Sequence, residues 1–224
     1  MSANLINMLM EATWQTIYMV LVSTILGAIG GLPIGTFLAC SQKGELLSSP
    51  WLNKVLGVIV NATRSVPFII LVVAIIPFTR LVAGTSIGTT AAIVPLTIAA
   101  VPFIARLVEN AIRDVDSGLI EAARSMGATP MQIIRKVLIP EAMPGIVLGL
   151  TLAVVSLLGY SAMVGAVGGE GLGDLGIRYG YQRFMPEVMG LVVLILIVLV
   201  QVVQTVGEWI ARRVDKRAPS NRGA

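Results

Sequence analysis

The chain has 224 residues, of which 56% are hydrophobic and only 12% are charged, and its mean hydropathy is +0.88. A soluble domain carries about 25% charged residues, so this composition excludes an ordinary soluble protein and indicates one embedded in a membrane. Without histidine and with a single cysteine, Cys40, the sequence also excludes a zinc finger, a Cys-His catalytic pair and an internal disulfide, and the net charge of +4 is explained by membrane orientation rather than by nucleic acid.

One domain is expected at this length, covering residues 1–217, followed by a short flexible tail at 218–224. The first residues lack the basic segment of a secretory leader, so no cleaved signal peptide is expected. No metal site is expected, and Cys40 is interpreted as a small hydrophobic residue at the end of an apolar run.

Four charge-free runs are long enough to span a membrane, which takes roughly 20 apolar residues, and a fifth candidate is interrupted by Arg64. Its helix either starts near Val55, with Arg64 towards the interface, or breaks around residues 64–67. A central arginine costs about 2.5–3.5 kcal/mol, so Arg64 is placed near the cytoplasmic surface. We therefore predict an all-α integral membrane protein with about five transmembrane helices, at residues 13–40, 55–79, 83–105, 142–167 and 188–210.

The distribution of basic residues predicts the orientation of these spans. With the N-terminus outside, only Arg80, Arg178 and Arg183 lie on the outer side, and every other lysine and arginine is cytoplasmic. The C-terminus is then cytoplasmic as well.

Small residues recur at every fourth position in two of the spans, which lets a neighbouring backbone approach closely. Two interpretations stay open: packing within one chain, or contact between two copies. The residues are Ser23, Gly27, Gly31 and Gly35 in the first span, and Gly145 and Gly149 in the fourth. Three prolines are expected to kink their spans, namely Pro33, Pro95 and Pro102.

The third span is expected to emerge into the cytoplasm beyond Arg106. Glu109 and Arg113 are four residues apart there and can pair on a helix surface. We interpret this stretch as a solvated helix face.

The longest polar interlude, residues 117–138, is predicted to form two short helices folded over a glycine turn; we call it the hairpin. Asp116 or Ser117 can cap the first helix, and Gly127 stands where a left-handed C-terminal cap is needed. Thr129 can cap the second helix, with Pro130 at its first position and Gln132 completing a capping box. Such a preformed hairpin between two apolar segments predicts a docking element for a soluble partner.

The first helix of the hairpin has two kinds of face. One carries the apolar side chains of Leu119, Ala123 and Met126, while Glu121, Arg124 and Ser125 point elsewhere.

The end of the fourth span is polar and rich in glycine. Tyr160, Ser161 and Met163 either pack within the chain or line a translocation path or gate, because small-residue helix at membrane depth is favoured beside a cavity. Residues 168–184 are predicted to form an outer loop or a re-entrant turn, which either anchors its aromatic residues at the interface or receives an external partner. The G-x-G-x-x-G pattern at 171–176 lacks a preceding strand, so it does not predict a dinucleotide site, and no P-loop occurs.

The hairpin residues Glu121, Ala122, Ala123 and Gly127, followed by Ile139-Pro140, resemble the cytoplasmic loop of bacterial permeases of binding-protein-dependent ABC importers. Ile139 stands where leucine often precedes the proline, which is a conservative departure. Three further segments, at 62–68, 164–169 and 175–181, resemble the methionine-uptake branch of that family. The resemblance covers nearly the whole chain.

The resemblance implies a type I ABC-importer permease fold in the bacterial inner membrane. It implies a homodimer surrounded by membrane lipid, with two ABC ATPase subunits on the cytoplasmic side and a substrate-binding lipoprotein outside. The chain itself is then not an enzyme and binds no cofactor or nucleic acid, since ATP and Mg bind to the ATPase. The expected substrate is methionine, with another amino acid as the alternative.

The same resemblance implies roles for individual residues. Those that couple the permease to the ATPase are Glu121, Ala122, Ala123, Arg124, Met126, Gly127 and Pro130. The path or gate residues, Tyr160, Ser161 and Met163, come instead from the polar end of the fourth span, where packing within the chain stays the alternative. Two other classes of function fit less well: an ion-coupled carrier needs intramembrane carboxylates that these spans lack, and a structural scaffold has no use for a capped hairpin.

Overall fold

A computed structural model describes residues 3–42 and 46–215 of the chain, and every regular element in that part is helical. The predicted tail at 218–224 lies outside the described residues. The helices are α1 (Ala3–Cys40), α2 (Pro50–Ser65), α3 (Phe68–Ala74), α4 (Ile76–Ala83), α5 (Thr89–Arg113), α6 (Ser117–Ser125), α7 (Pro130–Ile133), α8 (Ile139–Gly165), α9 (Gly171–Leu175) and α10 (Pro186–Val214), with π-helical turns at Ile134–Leu138 and Gly176–Tyr181.

Four helical segments of the described chain are long and apolar enough to cross a membrane: α1, α5, the continuous run from α7 through α8, and α10. The pair α2 and α3 forms a fifth when its two bent halves are taken together. The predicted all-α architecture with about five spans is therefore confirmed. Three helices begin away from their expected starts: α1 already at Ala3, α2 already at Pro50, and α5 only at Thr89, because Gly84 and Gly88 adopt positive φ angles before it.

The second span in chain order is broken between α2 and α3, and its two halves meet at 99°. Val66 is extended, with φ −79° and ψ 126°, as expected for a residue that precedes proline. Pro67 then starts the new direction, and α3 begins at Phe68. Of the two alternatives that the sequence left open, the break around residues 64–67 is the one observed.

The core is centred on α1, α5 and α8, and glycines set the distance between these helices. A Cβ atom on Gly31 would lie 2.8 Å from the Cβ of Ile104, and one on Gly35 would overlap the carbonyl oxygen of Ala105. In the same way Gly149 of α8 faces Leu107 of α5. The small-residue stripes therefore serve packing within one chain, which was the first of the two interpretations.

Gly35→Ala is expected to lower the free energy of unfolding by about 1–3 kcal/mol, because the added methyl group forces α1 away from the α5 backbone. The midpoint of thermal unfolding in detergent measures this loss. Gly57→Ala on α2 is the matched control, since nothing lies within 4 Å of its added methyl group. Equal midpoints for the two variants would contradict the close packing.

Residues 171–181 form a short helical segment that packs against the first third of α1. The backbone N–H of Gly171 donates to Oε1 of Gln15 at 3.0 Å, and that of Leu172 donates to the Thr16 hydroxyl at 2.9 Å. Just before this segment, the Glu170 carboxylate accepts hydrogen bonds from the backbone and hydroxyl of Thr89, the first residue of α5. The predicted outer loop or turn is therefore a helical element fixed to two spans.

Candidate functional site

The hairpin begins with a capped helix and a glycine turn, as predicted. Oδ1 of Asp116 accepts from the backbone N–H of Gly118 at 2.6 Å, which caps α6. Gly127 has φ +78°, a conformation that side chains with a Cβ atom oppose. Its surroundings are open, so the backbone conformation rather than lack of space requires glycine.

The second arm of the hairpin also starts as predicted but does not end there. The Thr129 N–H donates to Oε1 of Gln132 at 2.9 Å and the Gln132 N–H donates to the Thr129 hydroxyl, so the capping box is present. The helix then runs through the π-helical turn Ile134–Leu138 into α8, so the expectation of a second short helix is wrong. A π turn fits before Pro140, because the proline ring clashes with the carbonyl four residues earlier in a regular α-helix.

The predicted coupling residues lie together around the turn, but not all face outward. Six are exposed: Glu121, Ala122, Arg124, Met126, Gly127 and Pro130. Ala123 is buried and belongs to the core of the chain, so only Ala122 offers a small side chain to a partner. The face predicted as apolar is thus divided: Ala123 points inward, while Leu119 is exposed and Met126 is 82% exposed.

A buried ion cluster lies at the end of α5, directly before the hairpin. Glu109, with a side chain only 2% exposed, accepts from Arg106 at 2.7 Å and from Arg113 at 2.6 Å. Arg106 also donates to Oδ1 of Asn61 at 2.6 Å and so connects α5 to α2. The predicted pairing of Glu109 with Arg113 is confirmed, whereas the solvated face is wrong for Glu109, because other helices, among them α1 and α8, pack against this end of α5.

The three predicted path residues do not share one surface. Tyr160 stacks on Phe68 of α3, with ring centroids 4.4 Å apart and planes 12° from parallel. Ser161 is buried and donates to the carbonyl of Leu158 at 2.8 Å, while Met163 is half exposed, on the opposite side of the helix from Ser161. Packing within the chain accounts for Ser161, and a gating role for the three residues stays a prediction.

The break between α2 and α3 in the second span places Arg64 beside aromatic rings. Its guanidinium carbon is 5.7 Å from the ring centroid of Phe103 on α5. A cavity of about 120 Å³, which we call the aromatic cavity, opens there, with Thr63, Arg64, Val66, Phe68, Phe103 and Tyr160 among its lining residues. Sequence reasoning missed this meeting of α2, α3, α5 and α8; Pro67 was the one local signal for it.

A polar recess of about 190 Å³ lies where α1 begins, at the end of the molecule remote from the hairpin. Its lining includes Glu11, Gln15, Glu170, Asp174, Arg178 and Tyr179. Arg178 pairs with Asp174, and that hydrogen-bonded carboxylate raises the pKa of Arg178 above its usual value. The recess therefore presents fixed charges of both signs.

Residues 31–219 match the family described as the binding-protein-dependent transport system inner membrane component. Two curated relatives are similar along most of their length. The probable D-methionine transport system permease protein MetI of Vibrio cholerae is 56% identical over 211 residues, which is 94% of each chain. The D-methionine transport system permease protein MetI of Escherichia coli is 52% identical over 165 residues, covering 74% of this chain and 76% of the relative.

Solved structures agree with these matches. A structure of inward-facing conformations of the MetNI methionine ABC transporter has a TM-score of 0.94 and 50% identity, covering 96% of this chain and all of the other. An amino acid ABC transporter with histidines has a TM-score of 0.74 at 22% identity, covering 92% of this chain and 94% of that one. This second likeness shows the fold alone.

Proposed function

Because the chain belongs to the family of binding-protein-dependent transport system inner membrane components, we propose that it is the membrane-spanning permease subunit of an ATP-driven methionine importer. One observation carries the proposal: 56% identity along 94% of both chains to a relative named as a D-methionine transport permease. The TM-score of 0.94 to the permease fold of a methionine ABC transporter supports it. The chain is thus a multi-pass transport component with the type I permease fold and not an enzyme.

In this proposal two copies of the chain form the translocation path, and two ABC ATPase subunits bind to their hairpins. The hairpin suits docking because its turn is fixed by local caps and carries exposed Met126, Glu121 and Arg124. An exposed apolar side chain can fill a groove, and the two charged ones can form charge-assisted hydrogen bonds. ATP and its Mg bind to the ATPase, and this chain needs no cofactor.

The orientation in this proposal follows the basic residues: the N-terminus lies outside and the C-terminus in the cytoplasm of a bacterial inner membrane. Lipid surrounds α10, whose Leu194, Ile197 and Val198 are more than half exposed. A substrate-binding lipoprotein docks on the outer side, where the polar recess offers carboxylates, an arginine and a tyrosine for hydrogen bonds. The recess is connected to the spans by the hydrogen bonds of Glu170 with Thr89 of α5 and of Gly171 with Gln15 of α1.

Transport in this proposal is an alternation between inward-open and outward-open arrangements. ATP binding draws the two ATPase subunits together and moves the hairpins with them. Because α7 continues into α8 as one helix, no irregular loop separates the hairpin from the part of α8 that carries the motion to the path. Tyr160 and Met163 on α8 are the gate candidates, and they move with the helix.

Uptake of labelled methionine into vesicles tests the proposal. The vesicles contain this chain with its ABC ATPase and binding protein, and uptake is measured with ATP and without it. We expect accumulation that requires ATP. If the complex assembles and hydrolyses ATP yet takes up another amino acid and no methionine, the substrate is wrong; if no ATPase binds, the permease role is wrong.

A further inference from the structure

We propose that Arg64 binds the carboxylate of the transported amino acid within the membrane-spanning part of the path, and that the rings of Phe68, Phe103 and Tyr160 receive its apolar side chain. This inference rests on the proposed function and names a binding site for its substrate. It starts from the depth at which the broken span places a charged side chain.

The depth of Arg64 follows from its contact with α5. Phe103, which lies under the guanidinium, is about 15 Å from Arg113 at one end of α5 and about 21 Å from Thr89 at the other, at 1.5 Å per residue. Arg64 is also about one helical turn further from Arg113 than the Arg106–Glu109 cluster is. Because the charged part of α5 begins at Arg106, Arg64 lies about one turn inside the apolar length of α5, at the end of the span that the sequence places towards the cytoplasm.

A charge at that depth needs a compensating group. No carboxylate of the described residues forms a salt bridge with Arg64, and the nearest buried one, Glu109, is shared by Arg106 and Arg113. The Phe103 ring offers a cation–π contact at 5.7 Å, which leaves the hydrogen-bond donors of the guanidinium available. An exposed arginine with open donors at this end of the span is expected to face a water-filled path and to meet an anionic group there.

The aromatic cavity has the chemistry of a site for an amino acid such as methionine. Its volume of about 120 Å³ has room for roughly four water molecules, at about 30 Å³ each. A planar guanidinium matches a carboxylate with two parallel hydrogen bonds. Aromatic rings attract a thioether sulfur, and Phe68, Phe103 and Tyr160 supply three of them around the cavity.

The break of the helix supplies acceptors for the ammonium group. The Thr63 hydroxyl donates to the carbonyl of Ile59 at 2.9 Å, so its lone pairs can still accept a hydrogen bond. The last carbonyls of α2 lack partners within the helix because the chain turns by 99° after Ser65. Such half-helix ends bind charged substrate groups in other transporters.

Protection of a cysteine from a thiol reagent tests the proposal. Val66→Cys places a thiol on the cavity wall of the permease assembled with its ATPase, and wild-type protein, whose Cys40 is buried, gives the background. At a concentration of about four times its Kd, methionine is expected to slow labelling about fivefold. Methioninamide, which lacks the carboxylate, is expected to give little protection.

Arginine variants make the test specific. Adding Arg64→Gln to Val66→Cys is expected to raise the Kd of methionine about tenfold, because a charged hydrogen-bond partner is lost, so that the same concentration slows labelling only about 1.4-fold. Arg80→Gln, which removes an exposed arginine from α4, is the matched control and is expected to leave protection unchanged. Arg64→Lys is expected to restore part of it, since the charge returns without the planar fork.

Two results would overturn the inference. Equal protection by methionine and methioninamide, or no protection by either in the Val66→Cys protein, excludes a carboxylate site at Arg64. ATP-dependent methionine uptake by the wild-type complex, measured in parallel, separates the two proposals: with uptake intact, only the Arg64 site is wrong, whereas without uptake the proposed function fails too.

Discussion

Replacing Glu109 with alanine is expected to lower the free energy of unfolding by about 3 kcal/mol or more, the scale for removing one partner of a buried ion pair. The substitution leaves Arg106 and Arg113 without the carboxylate that both of them contact. It also weakens the contact between α5 and α2. The Arg106 guanidinium that Glu109 positions donates a hydrogen bond to Asn61 of α2 as well. We therefore expect a lower thermal midpoint and less permease recovered with its ATPase.

The matched control is Glu208→Ala on α10. Glu208 also forms an ion pair four residues from an arginine, but at 3.3 Å and with 59% of its side chain exposed. Exposed pairs contribute about 1 kcal/mol or less, so this variant is expected to unfold almost like the wild type. Similar losses in the two variants would mean that burial of Glu109 is unimportant.

The second large effect is expected at the hairpin turn. Gly127→Val is expected to reduce ATP-driven methionine uptake at least about tenfold, because a left-handed conformation costs a side chain about 1–2 kcal/mol and a β-branched one more. The overall fold is expected to survive, since nothing lies within 4 Å of the added Cβ atom. Uptake and ATP hydrolysis are measured on the same vesicles, so that loss of coupling is separated from loss of assembly.

Gly127→Asn is the control for this turn, because asparagine tolerates positive φ angles better than other side chains. It has a bulk comparable with that of valine, and the open surroundings accept both. Uptake close to that of the wild type is expected. If valine transports as well as asparagine, the fixed turn has no part in coupling.

Features that depend on neighbouring residues were predictable from the sequence. The cap by Asp116, the capping box of Thr129 and Gln132, and the positive φ of Gly127 each follow from a few adjacent residue types, and the structure has all of them. The spans were predictable because they depend on composition alone. The role of the hairpin residues in coupling remains a prediction.

Features that depend on distant segments were not predictable. Glu109 has the sequence context of a surface residue, and only the packing of other helices, among them α1 and α8, against this end of α5 buries it. Arg64 meets Phe103 because the chain bends by 99° beyond Ser65, an angle that no local pattern fixes. The π-helical turn before Pro140 was missed since a proline after a helical pattern indicates a boundary more often than a continuation.

In the proposed transport cycle, the unbroken run from Pro130 to Gly165 can act as a lever. Its 36 residues measure about 54 Å at 1.5 Å per residue, so tilting it by about 10° at the hairpin moves its far end by roughly 9 Å. The π-helical turn is the place where such a lever bends, because its widened backbone departs from regular hydrogen bonding. If the proposed coupling holds, the stiffness of these five residues sets how much of a small displacement at the ATPase is transmitted, amplified, to the opposite side of the membrane.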